Sequence, residues 1–281
     1  MSRRDRAAAV RADRGRRRPR PPAPGERRLS LVIPAYREAE RIAGTVARVR
    51  AELGPLVGEG ELEVVVVDDG SGDATADEAR RAGADQVVVQ PENRGKGAAV
   101  RAGMLVARGR ARAFTDADLA YAPAQVARLL AAVEDGWDVV VGNRHHADTT
   151  TVVQASRLRE VGHRVVNGFT RAVLLGRHTD TQCGLKAFRS DVADLLFAHA
   201  RVDGFAFDVE LFMLAERYGL SLAEVPVEVE NSDLSPVMVA RDSLRLLVDL
   251  ARIRADVAAG AYDLRPGELD RLAPGAASGS G

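Results

Sequence analysis

Strand-like and helix-like segments alternate along the chain from residue 29 to residue 143. Apolar runs predict strands at 29–33, 63–67, 86–90, 111–115 and 138–142. Helical patterns lie between them, at 38–53, 75–82, 97–108 and 123–134. A strand–helix–strand order places parallel strands side by side with helices on the sheet faces. The alternation therefore favours an α/β fold with a doubly wound, mostly parallel sheet.

An acidic pair, Asp116 and Asp118, follows the predicted strand 111–115. If the strand continues through them, residues i and i+2 point to the same side, so both carboxylates face one point. Hard divalent cations such as Mg²⁺ or Mn²⁺ take oxygen ligands and usually keep substrate phosphate oxygens as further ligands. The pair therefore predicts a metal site, and a pair of solvated turn acids is the alternative interpretation.

The other predicted strands also end in polar residues. The first ends at 34–38, the second at Asp68 and Asp69, the third leads to Lys96, and the fifth ends at Asn143 and Arg144. In doubly wound sheets, ligands bind outside the carboxyl ends of the strands. The glycines at 70–72 and 95–97 match neither a dinucleotide fingerprint nor a phosphate-binding P-loop. Nucleotide binding is therefore expected to depend on side chains and a metal.

The second half of the chain is less regular. Helical patterns cover 154–175, 205–218 and 239–257, a strand is predicted at 225–229, and a polar turn at 180–188 leads into a short apolar segment. We expect one α/β domain over 29–232. An amphipathic C-terminal helix follows within 233–264, where it packs on the core or lies in a membrane interface. A Pro-, Gly-, Ser- and Ala-rich flexible tail forms 265–281.

The first 28 residues form a basic arm. They hold eleven arginines against Asp5, Asp13 and Glu26, a net charge of +8, and few large apolar side chains. This composition predicts disorder. A basic arm suits nucleic acid or anionic lipid, and a solvated tail is the alternative. A non-catalytic nucleic-acid-binding protein is one hypothesis, but it leaves the acids at the strand ends unexplained, so no nucleic acid is expected.

The chain contains no run of eighteen apolar residues and no apolar signal segment near its N-terminus, and Cys183 is its only cysteine. These features favour a cytoplasmic protein, with peripheral contact at the inner face of the plasma membrane as an additional expectation. Lysine is rare: Lys96 and Lys186 stand against 38 arginines, and both fall in glycine-containing turns. A surviving lysine can mark a site that needs a compact ammonium group.

Five motifs resemble those of family 2 glycosyltransferases of the GT-A fold. They are Val32-Ile33-Pro34-Ala35-Tyr36-Arg37-Glu38, Val67-Asp68-Asp69-Gly70-Ser71, Asn93-Arg94-Gly95-Lys96-Gly97, Asp116-Ala117-Asp118 and Gly142-Asn143-Arg144. Two later segments look like the dolichyl-phosphate or polyprenyl-phosphate glucosyltransferase branch of that family. These are the segment from Asp180 to Phe188, which contains Cys183 and Gly184, and Phe207-Asp208-Val209-Glu210.

The resemblance implies a role for each motif residue. Pro34, Tyr36 and Glu38 line the nucleoside pocket, Asp69 contacts the base, and Lys96 reaches the donor. Asp116 and Asp118 hold Mg²⁺ or Mn²⁺ on the donor diphosphate. Arg144, with Arg157 or Arg159, binds the acceptor phosphate. Asp118, Arg144 and Asp180 are the expected catalytic residues. Some related mannose synthases carry a glutamine where this chain has Ala120, so water or donor phosphate would complete the metal shell.

The resemblance also implies an activity. We expect an inverting transferase that moves a hexose, with glucose favoured, from a nucleoside diphosphate to a polyprenyl phosphate. UDP-glucose is the favoured donor and GDP-mannose the second candidate. The alternative is the same donor chemistry with a soluble hydroxyl acceptor, which needs a general base. Asp180, Asp208 and Glu210 are the candidates for that base.

Overall fold

In the computed structural model of the protein, the described residues are 22–143, 183–230, 248–269 and 272, together with the backbone of 11–14. They form one sheet of eight strands. The strands are β1 (Arg11–Arg14), β2 (Arg27–Ala35), β3 (Leu62–Asp68), β4 (Gln86–Val89), β5 (Gly109–Phe114), β6 (Val139–Asn143), β7 (Lys186–Arg189) and β8 (Leu222–Pro226).

Helices connect these strands. They are α1 (Ile42–Val57), α2 (Thr75–Arg81), α3 (Lys96–Val106), α4 (Val126–Glu134, preceded by a 3₁₀ turn at Pro123–Gln125), α5 (Ser190–His199) and α6 (Phe207–Arg217). A further helical segment, α7, covers 248–258. The predicted helix at 154–175 lies outside the described residues. No element was predicted for 189–204, where the structure has α5.

The sheet is mixed and mostly parallel, as the alternation predicts. Its order is β1-β8-β6-β7-β5-β2-β3-β4. The run β5-β2-β3-β4 is parallel throughout, and β6 is parallel to β8. β7 lies antiparallel between β5 and β6, so it separates two strands that follow each other in sequence. The prediction of an α/β fold with a doubly wound, mostly parallel sheet is confirmed.

Two apolar layers cover the faces of the sheet. Along β3, Val65 and Val67 belong to the layer on one face, whereas Val64 and Val66 belong to the layer on the other. Alternate side chains of a strand point to opposite faces, and a strand buried on both faces therefore appears as a continuous apolar run. That is why 63–67 reads as a strand without polar alternation.

The predicted boundaries at both ends of the chain need correction. Residues 11–14 form β1, which pairs antiparallel with β8, so the prediction of disorder over 1–28 is wrong there. The open edge of β8 offers backbone groups that need partners, and the composition of the arm does not reveal this. Disorder is also wrong near the start of β2, where the Glu26 N–H donates to the Arg108 carbonyl at 2.8 Å and Arg27 already pairs with Gly109.

The C-terminal segment packs on the domain. Leu250 and Ile253 of α7 are buried together with Tyr262 and Leu272 in the layer that contains α5 and α6. The Tyr262 hydroxyl donates to Glu210 at 2.7 Å. The described part of the amphipathic helix therefore covers the core, and the prediction of a flexible tail from 265 onward is wrong for Leu272.

Two helical glycines offer a matched test of how α3 packs on the sheet. A Cβ on Gly103 of α3 would meet Val32 and would lie 2.8 Å from Val67 Cγ2, whereas a Cβ on Gly44 of α1 meets nothing within 4 Å. We expect Gly103→Ala to lower the free energy of unfolding by ~1–3 kcal/mol through overpacking. Gly44→Ala should raise it by ~0.5–1 kcal/mol through helix propensity. Urea unfolding measures both changes, and equal effects would contradict the close contact of α3 with β2 and β3.

Candidate active site at the carboxyl edge of the sheet

The carboxyl ends of the central strands meet at one edge of the sheet. Ala35 at the end of β2 pairs with Asp68 at the end of β3, and Val32 pairs with Phe114 at the end of β5. β6 runs in the same direction as β5, because each is antiparallel to β7. The predicted gathering of the polar strand ends at one edge is therefore confirmed for the described strands.

Asp116 and Asp118 lie in a turn rather than in a strand. β5 ends at Phe114, the Leu119 N–H donates to the Asp116 carbonyl at 3.1 Å, and Leu119 has a φ of 48°. The expectation that strand alternation aligns the two carboxylates is therefore wrong. The turn itself presents both groups: Asp118 is exposed, and Asp116 is partly buried beneath Gly184, where a Cβ would collide with the Asp116 carboxylate.

Lys96 stands among these carboxylates. It is the first residue of α3, and its ammonium group forms an ion pair with Asp116 Oδ1. Burial opposes its charged form, but the pKa of Lys96 is raised because Asp116, Asp208 and Asp118 all lie close enough to stabilise the charge. The site thus brings together three of the predicted residues, Lys96, Asp116 and Asp118.

A buried ion pair lies behind Lys96. Lys186 Nζ, in a side chain that is 1% exposed, contacts Asp208 Oδ1 at 2.6 Å and donates to the Cys183 carbonyl at 2.7 Å. Burial raises the pKa of Asp208, and the ammonium groups of Lys186 and Lys96 oppose that shift. The two lysines of the chain therefore alternate with two acids, in the order Lys186, Asp208, Lys96, Asp116. The rarity of lysine was the sequence signal for this arrangement, but it did not identify Asp208 as the partner.

Asp69 organises the loop that carries Lys96. Its carboxylate accepts hydrogen bonds from the backbone N–H groups of Arg94 at 3.0 Å and Gly95 at 2.8 Å. Burial raises the pKa of Asp69, although these two hydrogen bonds oppose the shift. The structure therefore shows Asp69 as the group that fixes the loop at 93–97, and its contact with a base stays a prediction.

Asp203 holds the same loop from the other side and was missed by the sequence analysis. Its carboxylate pairs with Arg94 at 2.9 Å and also with Arg101, and its carbonyl accepts from the Ala98 N–H at 3.2 Å. Gly95 has a φ of 110°, and a Cβ there would lie 2.7 Å from the Asp203 carbonyl. No motif marks Asp203, because its role depends on the path of the segment between α5 and α6.

The predicted nucleoside pocket begins directly after β2. Pro34 lies within that strand and Tyr36 is 41% exposed just beyond it. Arg37 has a φ of 58°, its N–H donates to Ser71 Oγ at 2.8 Å, and its guanidinium lies over the Tyr36 ring at 5.2 Å from the centroid. Arg37 thus covers one face of the ring, and the rest of the Tyr36 side chain remains partly exposed beyond β2.

Glu38 connects this segment to the acidic pair. Its side chain is 25% exposed, and its carboxylate lies 3.3 Å from Arg41. Burial raises the pKa of Glu38, and Asp118 adds to the shift while Arg41 opposes it. Glu38 and Asp118 therefore lie close enough for their charges to interact, as expected for two residues of one site.

Four predicted site residues, Arg144, Arg157, Arg159 and Asp180, lie outside the described residues, and their roles stay predictions. Glu210 is corrected. It is fully buried and accepts from the N–H groups of Arg201 at 2.7 Å and Val202 at 3.0 Å and from the Tyr262 hydroxyl. Glu210 therefore binds parts of the fold together and is no longer a candidate general base.

The acidic pair fits a hard divalent cation in its donor chemistry. Asp116 and Asp118 offer only oxygen ligands, and Asp118 is open to solvent. Within the part of the chain that the structure describes, no cluster of three or more His, Cys, Asp or Glu side chains could hold a metal ion. A cation here would therefore complete its shell with water and substrate oxygens, as the sequence analysis expects.

A mostly parallel sheet gathers acids and a lysine at its carboxyl edge, where doubly wound α/β proteins bind their ligands. The model of the family described as glycosyl transferase family 2 matches residues 30–197. The chain therefore belongs to glycosyltransferase family 2, and it is an enzyme. The hypothesis of a non-catalytic nucleic-acid-binding protein is accordingly wrong.

Curated relatives place the chain more narrowly in that family. It is 38% identical over 231 residues to a dolichyl-phosphate beta-glucosyltransferase of Drosophila melanogaster. The matched region covers 74% of this chain and 69% of the relative. It is 32% identical over 258 residues to the enzyme of the same name from Saccharomyces cerevisiae. That matched region covers 83% of this chain and 76% of the relative. The resemblance to the dolichyl-phosphate glucosyltransferase branch is confirmed.

Solved structures support the fold. Glucosyl-3-phosphoglycerate synthase from Mycobacterium tuberculosis, solved in complex with Mn²⁺, UDP and glucosyl-3-phosphoglycerate, superposes with a TM-score of 0.62 at 23% identity. The match covers 81% of this chain and 80% of that one. Among the described residues, no helix has both the length and the apolar character needed to cross a membrane.

The buried Lys186–Asp208 pair yields a stability prediction. Removing one partner of a buried pair leaves an uncompensated charge, so we expect Lys186→Met to lower the free energy of unfolding by ~3–5 kcal/mol. The double change Lys186→Met with Asp208→Leu should cost less than the single change. Arg80→Ala breaks the exposed Arg80–Asp77 pair and should cost at most ~1 kcal/mol. Urea unfolding of the three variants tests this order, and a double variant less stable than Lys186→Met would contradict it.

Proposed function

We propose that the protein is an inverting glucosyltransferase that moves glucose from UDP-glucose to a polyprenyl phosphate. The observation that carries the proposal is its 38% identity, over 74% of the chain, to a dolichyl-phosphate beta-glucosyltransferase. The site supports it, because an exposed aromatic ring, an ammonium group and a carboxylate pair share one edge of the sheet. The complex of the solved mycobacterial enzyme with UDP and Mn²⁺ agrees with the donor class.

Five of the predicted site residues that the structure describes are assigned a part in donor binding. Tyr36 offers a face for the base, and Asp69 fixes the loop at 93–97, so that Lys96 stands at the edge where the diphosphate must lie. The N-terminus of α3 adds a positive partial charge at the same place. Asp116 and Asp118 would hold Mg²⁺ or Mn²⁺, which would supply positive charge next to the departing diphosphate.

The acceptor determines what else the site needs. A phosphate acceptor is already anionic at neutral pH, so it attacks the sugar carbon without a general base. It does require cations that hold two negative groups close together, and we assign this role to Arg144 with Arg157 or Arg159. Direct displacement by the phosphate oxygen inverts the anomeric carbon as the bond to the UDP oxygen breaks. Asp180 is the remaining predicted catalytic residue.

A soluble hydroxyl acceptor is the alternative, and the structure weakens it. Such an acceptor needs a base, but Glu210 is saturated by hydrogen bonds and Asp208 is bound to Lys186. Of the three candidates, Asp180 alone is left to carry that role. A polyprenyl acceptor also agrees with peripheral contact at the inner face of the plasma membrane, which remains part of the proposal.

A transfer assay with matched donors and acceptors tests the proposal. We expect UDP-glucose with polyprenyl phosphate and Mg²⁺ or Mn²⁺ to give a lipid-extractable glucosyl phosphate with inverted anomeric configuration. GDP-mannose should be used more slowly, and chelation of the metal should stop transfer. Organic extraction measures the amount of glucosyl lipid formed under each condition, and NMR of the product gives its anomeric configuration. Transfer to a soluble hydroxyl compound without use of polyprenyl phosphate would support the alternative acceptor instead.

The metal pair yields a second kinetic prediction. Asp118→Ala should slow transfer by roughly a thousandfold or more, because several kcal/mol of transition-state stabilisation depend on the cation that it would hold. Its melting temperature should change little, since Asp118 is exposed. Asp77→Ala removes another exposed acid, on α2, and serves as the control with unchanged kinetics. Wild-type turnover by Asp118→Ala would remove Asp118 from the site.

A further inference from the structure

One carboxylate at the sheet edge is assigned to two cations. Asp116 forms an ion pair with Lys96, and its side chain remains 30% exposed. The same carboxylate is one of the two proposed ligands of a divalent cation. An ammonium group and a divalent ion next to one carboxylate repel each other, so each weakens the other's hold on Asp116.

The surroundings restrict where Lys96 can go when it leaves Asp116. Two other acids, Asp208 and Asp118, also act on the charge of Lys96, and Asp208 is already paired with Lys186 at 2.6 Å. A Cβ on Gly97 would lie 2.7 Å from Phe207 Cβ, so the start of α3 is packed tightly against α6, and this packing opposes a shift of the helix. The side chain of Lys96, 19% exposed, can still rotate toward the open edge. Asp118 would be taken up by the cation, so an anionic ligand that arrives at that edge is the new partner available to Lys96.

We propose that Lys96 and the divalent cation compete for Asp116, and that the donor diphosphate ends this competition by taking Lys96 as its own partner. Binding of the cation and binding of the nucleotide are then coupled through one side chain. The inference rests on the proposed function, because it takes a nucleoside diphosphate as the ligand. It adds an order to that function: the cation binds weakly until the diphosphate has drawn Lys96 away.

The arrangement also explains why a lysine is needed when no donor is bound. Glu38, Asp116, Asp118 and Asp208 are four acids close enough for their charges to act on one another or on Lys96. Like charges gathered at a partly buried edge disfavour the folded state unless a cation lies among them. Lys96 supplies that cation, and a compact ammonium group on a flexible stem is suited to exchange between partners.

The test is a titration of the full-length protein with Mn²⁺ alone, in which electron paramagnetic resonance measures the concentration of the free ion. Lys96→Met removes the competitor, so we expect it to bind Mn²⁺ about tenfold more tightly than the wild type without nucleotide. Lys96→Arg keeps the charge and should remain near the wild type. Asp116→Asn should lose the site in either background.

Arg101→Met is the matched control. Arg101 lies on the same helix, α3, but pairs with Asp203 instead of Asp116. Arg101→Met removes one positive charge from that helix without freeing the Asp116 carboxylate, and the charge that it removes is paired with Asp203, so its Mn²⁺ affinity should stay within about twofold of the wild type. The comparison separates competition for Asp116 from the general effect of a lost charge.

A second titration, with saturating UDP, measures the coupling itself. UDP should raise the Mn²⁺ affinity of the wild type, and the factor should be smaller in Lys96→Met, because no lysine remains to be displaced. Direct contact between UDP and the ion is common to both proteins and cancels in the ratio. Melting temperatures verify folding, and Lys96→Gln repeats the test if Lys96→Met is unstable.

An Mn²⁺ affinity of Lys96→Met equal to or weaker than that of Arg101→Met would overturn the exchange, whether or not glucose is transferred. An unchanged coupling factor with UDP would overturn it as well. If Lys96→Met binds Mn²⁺ more tightly but the wild-type protein does not use polyprenyl phosphate, the proposed acceptor is wrong and the proposed exchange of Lys96 is still supported.

Discussion

The site depends on the balance of charge at the carboxyl edge of the sheet. Parallel strands bring their ends together, and in this chain the segments after β2, β3 and β5 all carry acids. Two lysines reduce the electrostatic repulsion among these acids. Lys186 neutralises Asp208 inside the fold, and Lys96 does the same for Asp116 at its surface. Lys96 must be held in position to neutralise Asp116, and the loop at 93–97 does this: Asp69 fixes its backbone on one side and Asp203 on the other.

Most of the central sheet was predictable, because its strands are short segments rich in apolar residues and the helices between them have a different period. β7 was not: it has four residues, and the first three fall within 180–188, which was wrongly predicted to be a turn throughout. It gains its place from neighbours on both sides rather than from its own pattern. β1 was not predicted either, because its composition indicates disorder and it becomes a strand only by pairing with the open edge of the sheet at β8. Long-range pairing decided both cases.

The residues of the site were easier to predict than their roles. Asp69, Asp116 and Asp118 were identified from their positions after strands, and they lie at the expected edge. Their geometry was not predictable, because a turn replaces the assumed strand at Asp116 and a loop takes up the carboxylate of Asp69. Asp203 was invisible, since only the folded path of the chain brings it to the loop. A motif thus indicates which side chains gather, whereas the hydrogen bonds that orient them belong to tertiary structure.

The position of β7 has a consequence for how the chain reaches its native state during synthesis. Parallel pairing of β2, β3, β4 and β5 requires nothing beyond residue 114, so that half of the sheet has its partners early. β6 cannot join it, because Ala111 of β5 must first pair with Arg189 of β7, and Val139 of β6 with Phe188. Contacts between residues so far apart form slowly. A nascent chain that has emerged only as far as β6 therefore exposes the open edge of β5, and it is the state most in need of a chaperone.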